Sequence, residues 1–270
     1  MTLLHIIVLA IVQGITEFLP ISSSGHLILV PALTDWPDQG LLMDVGVHVG
    51  TLLAVMLYFR ADVLRLILAF WHMITLRTNP DQQDKRLLIA LILSTIPVVI
   101  IGGLVSKMGW NEGWRTLEVI GWTSIIFGIL LYILDEKSTV TKKLSELRYG
   151  HALIMGFAQI LAIIPGVSRS GITMTAARGL GFSRTEAARF SMLMSIPTIL
   201  AAGTLKGLEL VKSDDLALGT DIFLGAGLSF FMALLAIAGL MKWLEKSSMA
   251  PFVLYRVILG IGLLSLVYMG

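Results

Sequence analysis

Two short polar segments interrupt apolar stretches of this chain, and both carry side chains that could bind an anion and move protons. The first segment, residues 13–26, combines a carboxylate, an amide, three consecutive serines and an imidazole, namely Gln13, Glu17, Ser22, Ser23, Ser24 and His26. The second, residues 159–173, adds a guanidinium to hydroxyls and a glycine, namely Gly166, Ser168, Arg169, Ser170 and Thr173. Ionisable groups within apolar sequence of membrane length are costly and usually functional. We therefore expect the chemistry of the protein at these two segments.

The first segment places its polar groups around a helix break. Gln13 and Glu17 are four residues apart, so on a helix they share one face. Pro20 cannot continue that helix, and Ser22–Ser24 then form a hydroxyl-rich loop ahead of the apolar run that His26 opens. The alternative is that the serines only cap the returning helix and that His26 packs in a core.

The second segment has the features of a phosphate site. Gly166 ends one apolar piece, and Ser168–Ser170 precede the next. The N-terminus of a helix presents free N–H groups and the positive end of a dipole, which suits a phosphate. Arg169 adds a planar fork that can hold two phosphate oxygens. The alternative role for Arg169 is a structural ion pair with Glu17, an arrangement that is also compatible with catalysis.

The composition indicates that the elements around these segments cross a membrane. Of the 270 residues, 56% are hydrophobic and only 14% are charged, and the mean hydropathy is +0.86. A soluble protein of this size carries about 25% charged residues. A formal net charge of +2 gives no argument for nucleic-acid binding. The absence of cysteine from the sequence excludes disulfides, zinc–thiolate sites and thiol nucleophiles.

The apolar stretches predict membrane spans and two broken hairpins. A span needs about 20 apolar residues in a helix. Six stretches satisfy this length: 41–59, 87–105, 117–134, 187–210, 219–241 and 252–269. Two more, 3–34 and 150–182, are broken in the middle by Pro, Gly and Ser. We interpret both as re-entrant helix–loop–helix hairpins, since non-helical backbone at membrane depth is tolerated where protein or a watery cavity covers it.

The order of these stretches predicts an internal repeat. A shift of 146 residues places Gln13, Ser22, Ser24 and Gly25 on Gln159, Ser168, Ser170 and Gly171. Each half then holds one hairpin and three spans, and an odd number of spans inverts the second half. The predicted fold is an all-α polytopic membrane protein with an inverted-topology repeat. The halves are residues 1–134 and 150–270, joined by a cytoplasmic linker, 135–149.

The distribution of basic residues predicts the orientation. Loops 60–86, 135–149 and 242–251 together carry 11 Lys and Arg, against 3 in the remaining loops. The positive-inside rule therefore places the first set in the cytoplasm. The first hairpin, with the expected active site, then opens to the opposite, outer side of the membrane. Residues 61–76 have no partner in the second half and predict an interfacial helix.

The two motifs resemble those of the bacterial undecaprenyl-diphosphate phosphatases, the bacitracin-resistance family. The family pattern of Glu or Gln, three residues, Glu, a serine-rich loop and His matches residues 13–26, with Gln13 at the first position. The pattern P-G-x-S-R-S-x-x-T is intact at residues 165–173. The resemblance covers the whole chain in length and span count. It implies hydrolysis of a C55 isoprenyl diphosphate to the monophosphate and inorganic phosphate, which recycles the lipid carrier of cell-wall synthesis.

The candidate residues then divide into hypothetical roles. Arg169, with the hydroxyls and N–H groups of the second segment, would hold the diphosphate and stabilise charge on the transferred phosphoryl group. Glu17, helped by Gln13, would hold a Mg²⁺ or Ca²⁺ ion or act as base. Ser23, His26 and a metal-bound water all remain candidates for the nucleophile.

The expected partners follow from the same interpretation. They are a polyprenyl diphosphate lipid and the membrane, with no nucleic acid and no nucleotide, and a homodimer stays open. A function from another class is a lipid-carrier flippase or anion transporter that uses the same site, because inverted repeats with broken helices are the usual plan of transporters. Phosphate release in detergent distinguishes the two functions, since detergent abolishes transport and leaves hydrolysis possible.

Overall fold

The computed structural model describes residues 2–34, 36–37, 40–75, 81–110, 112–138, 141–212 and 220–269. Within these ranges the chain is helical, and the only extended pairing is an isolated bridge between Lys142 and Phe182. The α-helices are α1 (Leu3–Thr16), α2 (Ser23–Thr34), α3 (Gly40–Tyr58), α4 (Arg60–Thr75), α5 (Gln82–Lys107), α6 (Leu117–Lys137), α7 (Tyr149–Ile160), α8 (Arg169–Gly179), α9 (Arg184–Lys212), α10 (Thr220–Leu244) and α11 (Ala250–Met269). The predicted all-α class is confirmed.

Five of the described helices are long and apolar enough to cross a membrane. They are α5, α6, α9, α10 and α11, and each contains nearly all of the span that the sequence predicts for it. The remaining predicted span corresponds to α3, whose fully described part, Leu42–Tyr58, is apolar but shorter. A polytopic membrane protein is the class that this arrangement fits.

Both broken stretches form pairs of short helices. Residues 3–34 give α1 and α2 around a turn at 17–22, and residues 150–182 contain most of α7 and all of α8 around a turn at 161–168. α1 has 14 residues, so it is about 21 Å long at 1.5 Å per residue. The apolar core of a bilayer is about 30 Å thick. None of these four helices is long enough to cross it alone.

Most helices of the first half of the chain pack against helices of the second half. The first helix of the first broken pair, α1, packs against α10, and the first helix of the second pair, α7, packs against α5. Likewise α3 packs against α10 and α9 packs against α5, whereas α6 and α11 pack against each other. Except for α2 and α4, which pack mainly against α1 and α5 of their own half, the helices thus find their main partners in the other half, which brings the two broken pairs together.

Small residues allow these helices to approach closely. A Cβ added at Gly14 of α1 would lie 2.8 Å from the Ser229 carbonyl oxygen of α10, and one at Gly156 of α7 would lie 2.6 Å from the Ser94 carbonyl oxygen of α5. Backbones approach this closely across membrane helices where small residues line the contact. The same type of contact therefore occurs on the first helix of each broken pair.

Two buried carboxylates anchor the helix ends near the basic loops. Asp135 accepts hydrogen bonds from Arg178 at 2.8 Å and from Arg184 at 2.9 Å. Asp62, on α4, accepts from Arg189 at 2.6 Å. The sequence suggests only a topological role for these arginines. The structure adds paired, buried contacts that stabilise the ends of α4, α6, α8 and α9.

Candidate active site

The turns of the two broken pairs have the same local structure. Ser22 and Ser168 are the only non-glycine residues in the described part of the chain with positive φ, at 76° and 71°. The Oγ of Ser22 accepts from the N–H of Gly25 at 3.3 Å, and the Oγ of Ser168 accepts from the N–H of Gly171 at 3.1 Å. A serine that caps the first turn of a helix in this way satisfies one of its unpaired donors. Both turns therefore end in a capped helix N-terminus.

The two turns meet face to face. Nη2 of Arg169 donates to Oε1 of Glu17 at 2.7 Å, so the ion pair that the sequence offered as the alternative role of Arg169 is present. The Ser170 hydroxyl donates to the Leu19 carbonyl at 2.8 Å. The Arg169 guanidinium also lies over the Phe18 ring, 5.8 Å from its centroid. Residues about 150 positions apart in the sequence thus form one cluster.

Glu17 is the centre of this cluster. Its Oε1 binds Arg169, and its Oε2 accepts from the Ser23 hydroxyl at 2.6 Å and from Nε2 of Gln13 at 3.0 Å. Only 8% of Glu17 is exposed. Hydrogen bonds to an ionised acceptor are short and strong. The carboxylate is therefore held in place and lies within proton-transfer distance of the Ser23 hydroxyl.

A cavity of about 410 Å³ opens at the cluster. The predicted residues that line it are Glu17, Ser22, Ser23, Ser24, Ser168 and Arg169. The rest of the wall comes from α3 and α9 and is largely apolar, with Val45, Val49, Leu52, Ile199, Leu200 and Ala202. The cavity therefore has a polar end at the two turns and an apolar side between two helices.

His26 is predicted as a catalytic residue, but in the structure its ring contacts Ser22 and Tyr255. Its Nδ1 donates to the Ser22 carbonyl oxygen at 2.6 Å, and its Nε2 lies 2.5 Å from the Tyr255 hydroxyl of α11. Since a carbonyl only accepts, Nε2 of the neutral ring is the acceptor for Tyr255. His26 is not among the cavity-lining residues. With both ring nitrogens engaged, it is better placed to orient the first turn than to attack a substrate.

The other predicted residues that do not line the cavity support those that do. Gln13 is fully buried behind Glu17. Thr173 contacts the Ser191 hydroxyl at 2.7 Å, which joins α8 to α9. Gly166 has a φ of 87°, and a Cβ there would lie 2.1 Å from Oγ1 of Thr123, so only glycine fits the turn. The sequence places all of these at the active site, and the structure puts them one layer behind it.

Two residues that line the cavity are not among the site residues that the sequence predicts. His48 and Asp44 both lie on α3 and line the cavity, and Nε2 of His48 is 3.9 Å from Oε2 of Glu17. The Nδ1–H of His48 donates to the Asp44 carbonyl at 2.7 Å, so Nε2 is the ring nitrogen that faces Glu17. Their i, i+4 spacing puts them on one helix face, but only the packing of α3 brings that face to the turns.

Comparison with known proteins identifies the family. The family model described as bacitracin resistance protein BacA matches residues 6–262. This chain belongs to the BacA family. The match includes both turns and every cavity-lining residue, so the site described above lies within the part of the sequence that the BacA family shares.

Relatives of this chain are similar to it over nearly their whole lengths. The chain is 50% identical to the undecaprenyl-diphosphatase of Dinoroseobacter shibae and 50% identical to that of Roseobacter denitrificans, in both cases over 99% of this chain and 100% of the relative. It is 47% identical to the undecaprenyl-diphosphatase of a Ruegeria species over the same shares. These relatives carry the name of a phosphatase, and their names give no support to a transport function.

Proposed function

We propose that this BacA-family protein hydrolyses undecaprenyl diphosphate to undecaprenyl phosphate and inorganic phosphate. The observation that carries the proposal is the contact between Ser23 and Glu17 at 2.6 Å, with Arg169 on the other carboxylate oxygen. A nucleophile within hydrogen-bond reach of a base that a third group orients is the usual arrangement for covalent catalysis. The product is the lipid carrier that cell-wall synthesis uses again.

The first step transfers the terminal phosphoryl group to the enzyme. Ser23 Oγ attacks the terminal phosphorus as its proton passes to Glu17, and the bond between that phosphorus and the bridging oxygen breaks. Undecaprenyl phosphate leaves with the electron pair of that bond. Arg169, released from Glu17 as the carboxylate is protonated, stabilises the charge on the phosphoryl oxygens. The positive end of α8 lies beside it and favours the same charge.

The second step releases inorganic phosphate. Glu17 first passes the proton that it took from Ser23 to solvent. It then removes a proton from a water molecule, whose oxygen attacks the phosphorus of the phosphoserine. The phosphorus–Oγ bond breaks, and Glu17 returns that proton to Ser23 Oγ as phosphate leaves. His48, whose Nε2 lies 3.9 Å from Glu17, is placed to take part in this proton transfer. All of these side chains come from one chain, so the reaction does not need a dimer.

The apolar side of the cavity fits the isoprenoid part of the substrate. The wall from α3 and α9 continues directly from the serines of the first turn. Val49 and Leu200 are 43% and 51% exposed there, which places apolar surface next to the polar end. Ligand pockets are lined mainly by hydrophobic side chains with a few placed polar groups, so the first isoprene units fit here while the diphosphate meets the turns.

A divalent cation that binds together with the diphosphate also fits the site. Mg²⁺ commonly uses one or two carboxylates together with substrate phosphate oxygens, and Glu17 and Asp44 both line the cavity. The described residues contain no cluster of three or more His, Cys, Asp or Glu side chains, so the phosphates would supply most of the ligands. Bound there, Mg²⁺ or Ca²⁺ would neutralise charge on the diphosphate. Gln13 would support Glu17 and would not contact the ion.

The proposed topology is an inverted repeat of two re-entrant hairpins, with the active site open to the periplasm. The matched caps at Ser22 and Ser168 and the exchange of partners between the halves support the repeat. The short helices α1, α2, α7 and α8 support re-entrant hairpins. The excess of basic residues in the loops at 60–86 and 135–149 supports the orientation.

Phosphate release from the purified protein tests the proposal. The protein in detergent would be given undecaprenyl diphosphate with Mg²⁺, with Ca²⁺ or with EDTA, and Glu17→Ala and Arg169→Ala would be measured beside it. We expect cation-dependent release that both substitutions abolish. The absence of release from a folded, lipid-supplied wild type would refute the hydrolase. Phosphate release that persists in EDTA would refute only the proposed requirement for a divalent cation.

A further inference from the structure

Arg256, in the first half of α11, is the largest side chain that the described structure buries completely. Its exposed fraction is 0%, although α11 is an apolar helix long enough to cross a membrane. A guanidinium at such a depth is costly unless polar groups surround it. Neither motif of the sequence includes this residue, and it does not line the cavity.

The Arg256 guanidinium bonds to both turns of the active site. All of its hydrogen bonds within the described residues go to backbone carbonyls. Gly166 and Val167, on the second turn, accept at 2.9 and 3.0 Å, and Pro20, on the first turn, accepts at 3.3 Å. The Thr123 and Ser124 carbonyls of α6 accept at 3.3 and 3.2 Å. One side chain thus joins the two turns to each other and to α6.

These bonds fix peptide groups next to the reacting side chains. Pro20 lies between Glu17 and Ser23, and Val167 directly precedes Ser168 and Arg169. A non-glycine residue keeps a positive φ such as that of Ser168 only where its surroundings over-determine it. Because the guanidinium holds the carbonyl immediately before that residue, it restrains the turn from which Arg169 projects.

We propose that Arg256 is a positioning residue for the hydrolysis. It holds the two turns in register, so that Glu17 and Arg169 stay in contact and the Ser23 hydroxyl faces the phosphorus. Its planar fork reaches several carbonyls at once, whereas a lysine ammonium is a point charge. A misplacement of about 1 Å can cost on the order of 10²-fold in rate. The inference rests on the proposed function.

The test compares Arg256→Lys and Arg256→Met with wild type, measuring kcat and KM for undecaprenyl diphosphate per folded molecule. We expect kcat to fall by about 10- to 100-fold in both variants. We expect KM to stay within a few-fold, because α3 and α9 still form the isoprenoid wall. Arg256→Lys keeps the positive charge and loses the planar guanidinium. A low kcat in this variant would therefore show that the directions of the hydrogen bonds, and not the charge, are required.

Arg178→Met is the matched control. Arg178 is also buried, at 4% exposure, and donates to Asp135 and to backbone carbonyls outside the turns. We expect a lower thermal midpoint of unfolding with kcat near the wild-type value. A wild-type kcat in Arg256→Lys, or an equal loss of kcat in Arg178→Met, would overturn the inference.

Folding of the variants is checked by monodispersity in detergent. If Arg256→Met does not fold, Arg256→Lys decides alone: a lowered kcat with an unchanged KM supports positioning, and an unchanged kcat refutes it. A folded wild type that releases no phosphate would refute the proposed function instead, so the two failures are distinguishable.

Discussion

At the scale of single residues, the site depends on one carboxylate that contacts both turns. Glu17 binds Arg169 through one oxygen and Ser23 through the other. The guanidinium thereby neutralises a charge that would otherwise be buried without a partner, and the serine hydroxyl is oriented toward its base. We therefore expect substitution of Arg169 to impair phosphate binding and substitution of Ser23 to remove the nucleophile.

Removal of the Ser23 hydroxyl should abolish turnover. We expect Ser23→Ala to lower kcat on the order of 10³-fold or more, as loss of a covalent nucleophile does, and to leave the protein folded. Rapid-mixing assays of the wild type with ³²P-labelled lipid should trap label on Ser23. Ser106→Ala, which removes an exposed hydroxyl near the end of α5, is the control with wild-type turnover. Near-normal kcat in Ser23→Ala would favour a water nucleophile.

Replacement of Arg169 by lysine should show the value of the planar fork. Arg169 contacts Glu17 at 2.7 Å and the Ser191 carbonyl at 3.1 Å, and a single ammonium cannot reproduce both directions. We expect Arg169→Lys to lower kcat by about 10²–10³-fold. Steady-state phosphate release measures this. A variant with more than a tenth of wild-type kcat would show that charge alone suffices.

At the scale of helices, α3 and α9 turn a phosphate site into a lipid site. The turns supply the polar end of the cavity, and the two helices supply its apolar wall. α9 contributes Gly203 to that wall, and a Cβ there would meet no atom within 4 Å. A larger side chain at this position can therefore enter the cavity without a clash in the helix packing.

Filling the apolar wall should impair the binding of long substrates selectively. We expect Gly203→Leu to raise KM for undecaprenyl diphosphate about 10-fold, since it occupies the space of an isoprene unit. Hydrolysis of a C5 prenyl diphosphate should change little. Gly227→Leu on α10 is the control, because a Cβ there also meets nothing within 4 Å and the residue does not line the cavity. Equal effects on both substrates would place the isoprenoid chain elsewhere.

At the scale of the whole molecule, the two halves are each incomplete. Each broken pair of helices finds its support in the other half, through α1 with α10 and α7 with α5. The proposed base and nucleophile come from the first half, and Arg169, the proposed phosphate-binding residue, comes from the second. Neither half therefore contains an active site, and the exchange of partners is what assembles it.

The orientation of the molecule can be tested with single cysteines, because the sequence contains none. We expect Lys107→Cys to react with a membrane-impermeant maleimide added to intact spheroplasts, since Lys107 is the last residue of α5, at the end that we propose faces outward. Lys143→Cys, in the linker, should react only after the membrane is permeabilised. Both variants should retain phosphatase activity. The reverse labelling pattern would place the active site on the cytoplasmic side.

The sequence alone was sufficient for the helical class, five of the spans and the two motifs. These features depend on local properties: apolar length, helix-breaking residues and the chemical types within one short segment. The ion pair between Glu17 and Arg169 was also predictable, because two costly charges in apolar sequence stabilise each other. The repeat suggested that the two segments meet, and the contact at 2.7 Å agrees with that.

Only the tertiary structure decided which groups face the cavity. His26 follows the serine-rich loop and His48 belongs to no motif, so the sequence favours His26, but no local feature shows which imidazole faces the cavity. The packing of α11 engages His26 through Tyr255, whereas the packing of α3 turns His48 toward Glu17. Arg256 likewise lies far from both motifs, which end at residues 26 and 173. Its role depends on carbonyl directions in two turns, and these exist only once the halves have packed together.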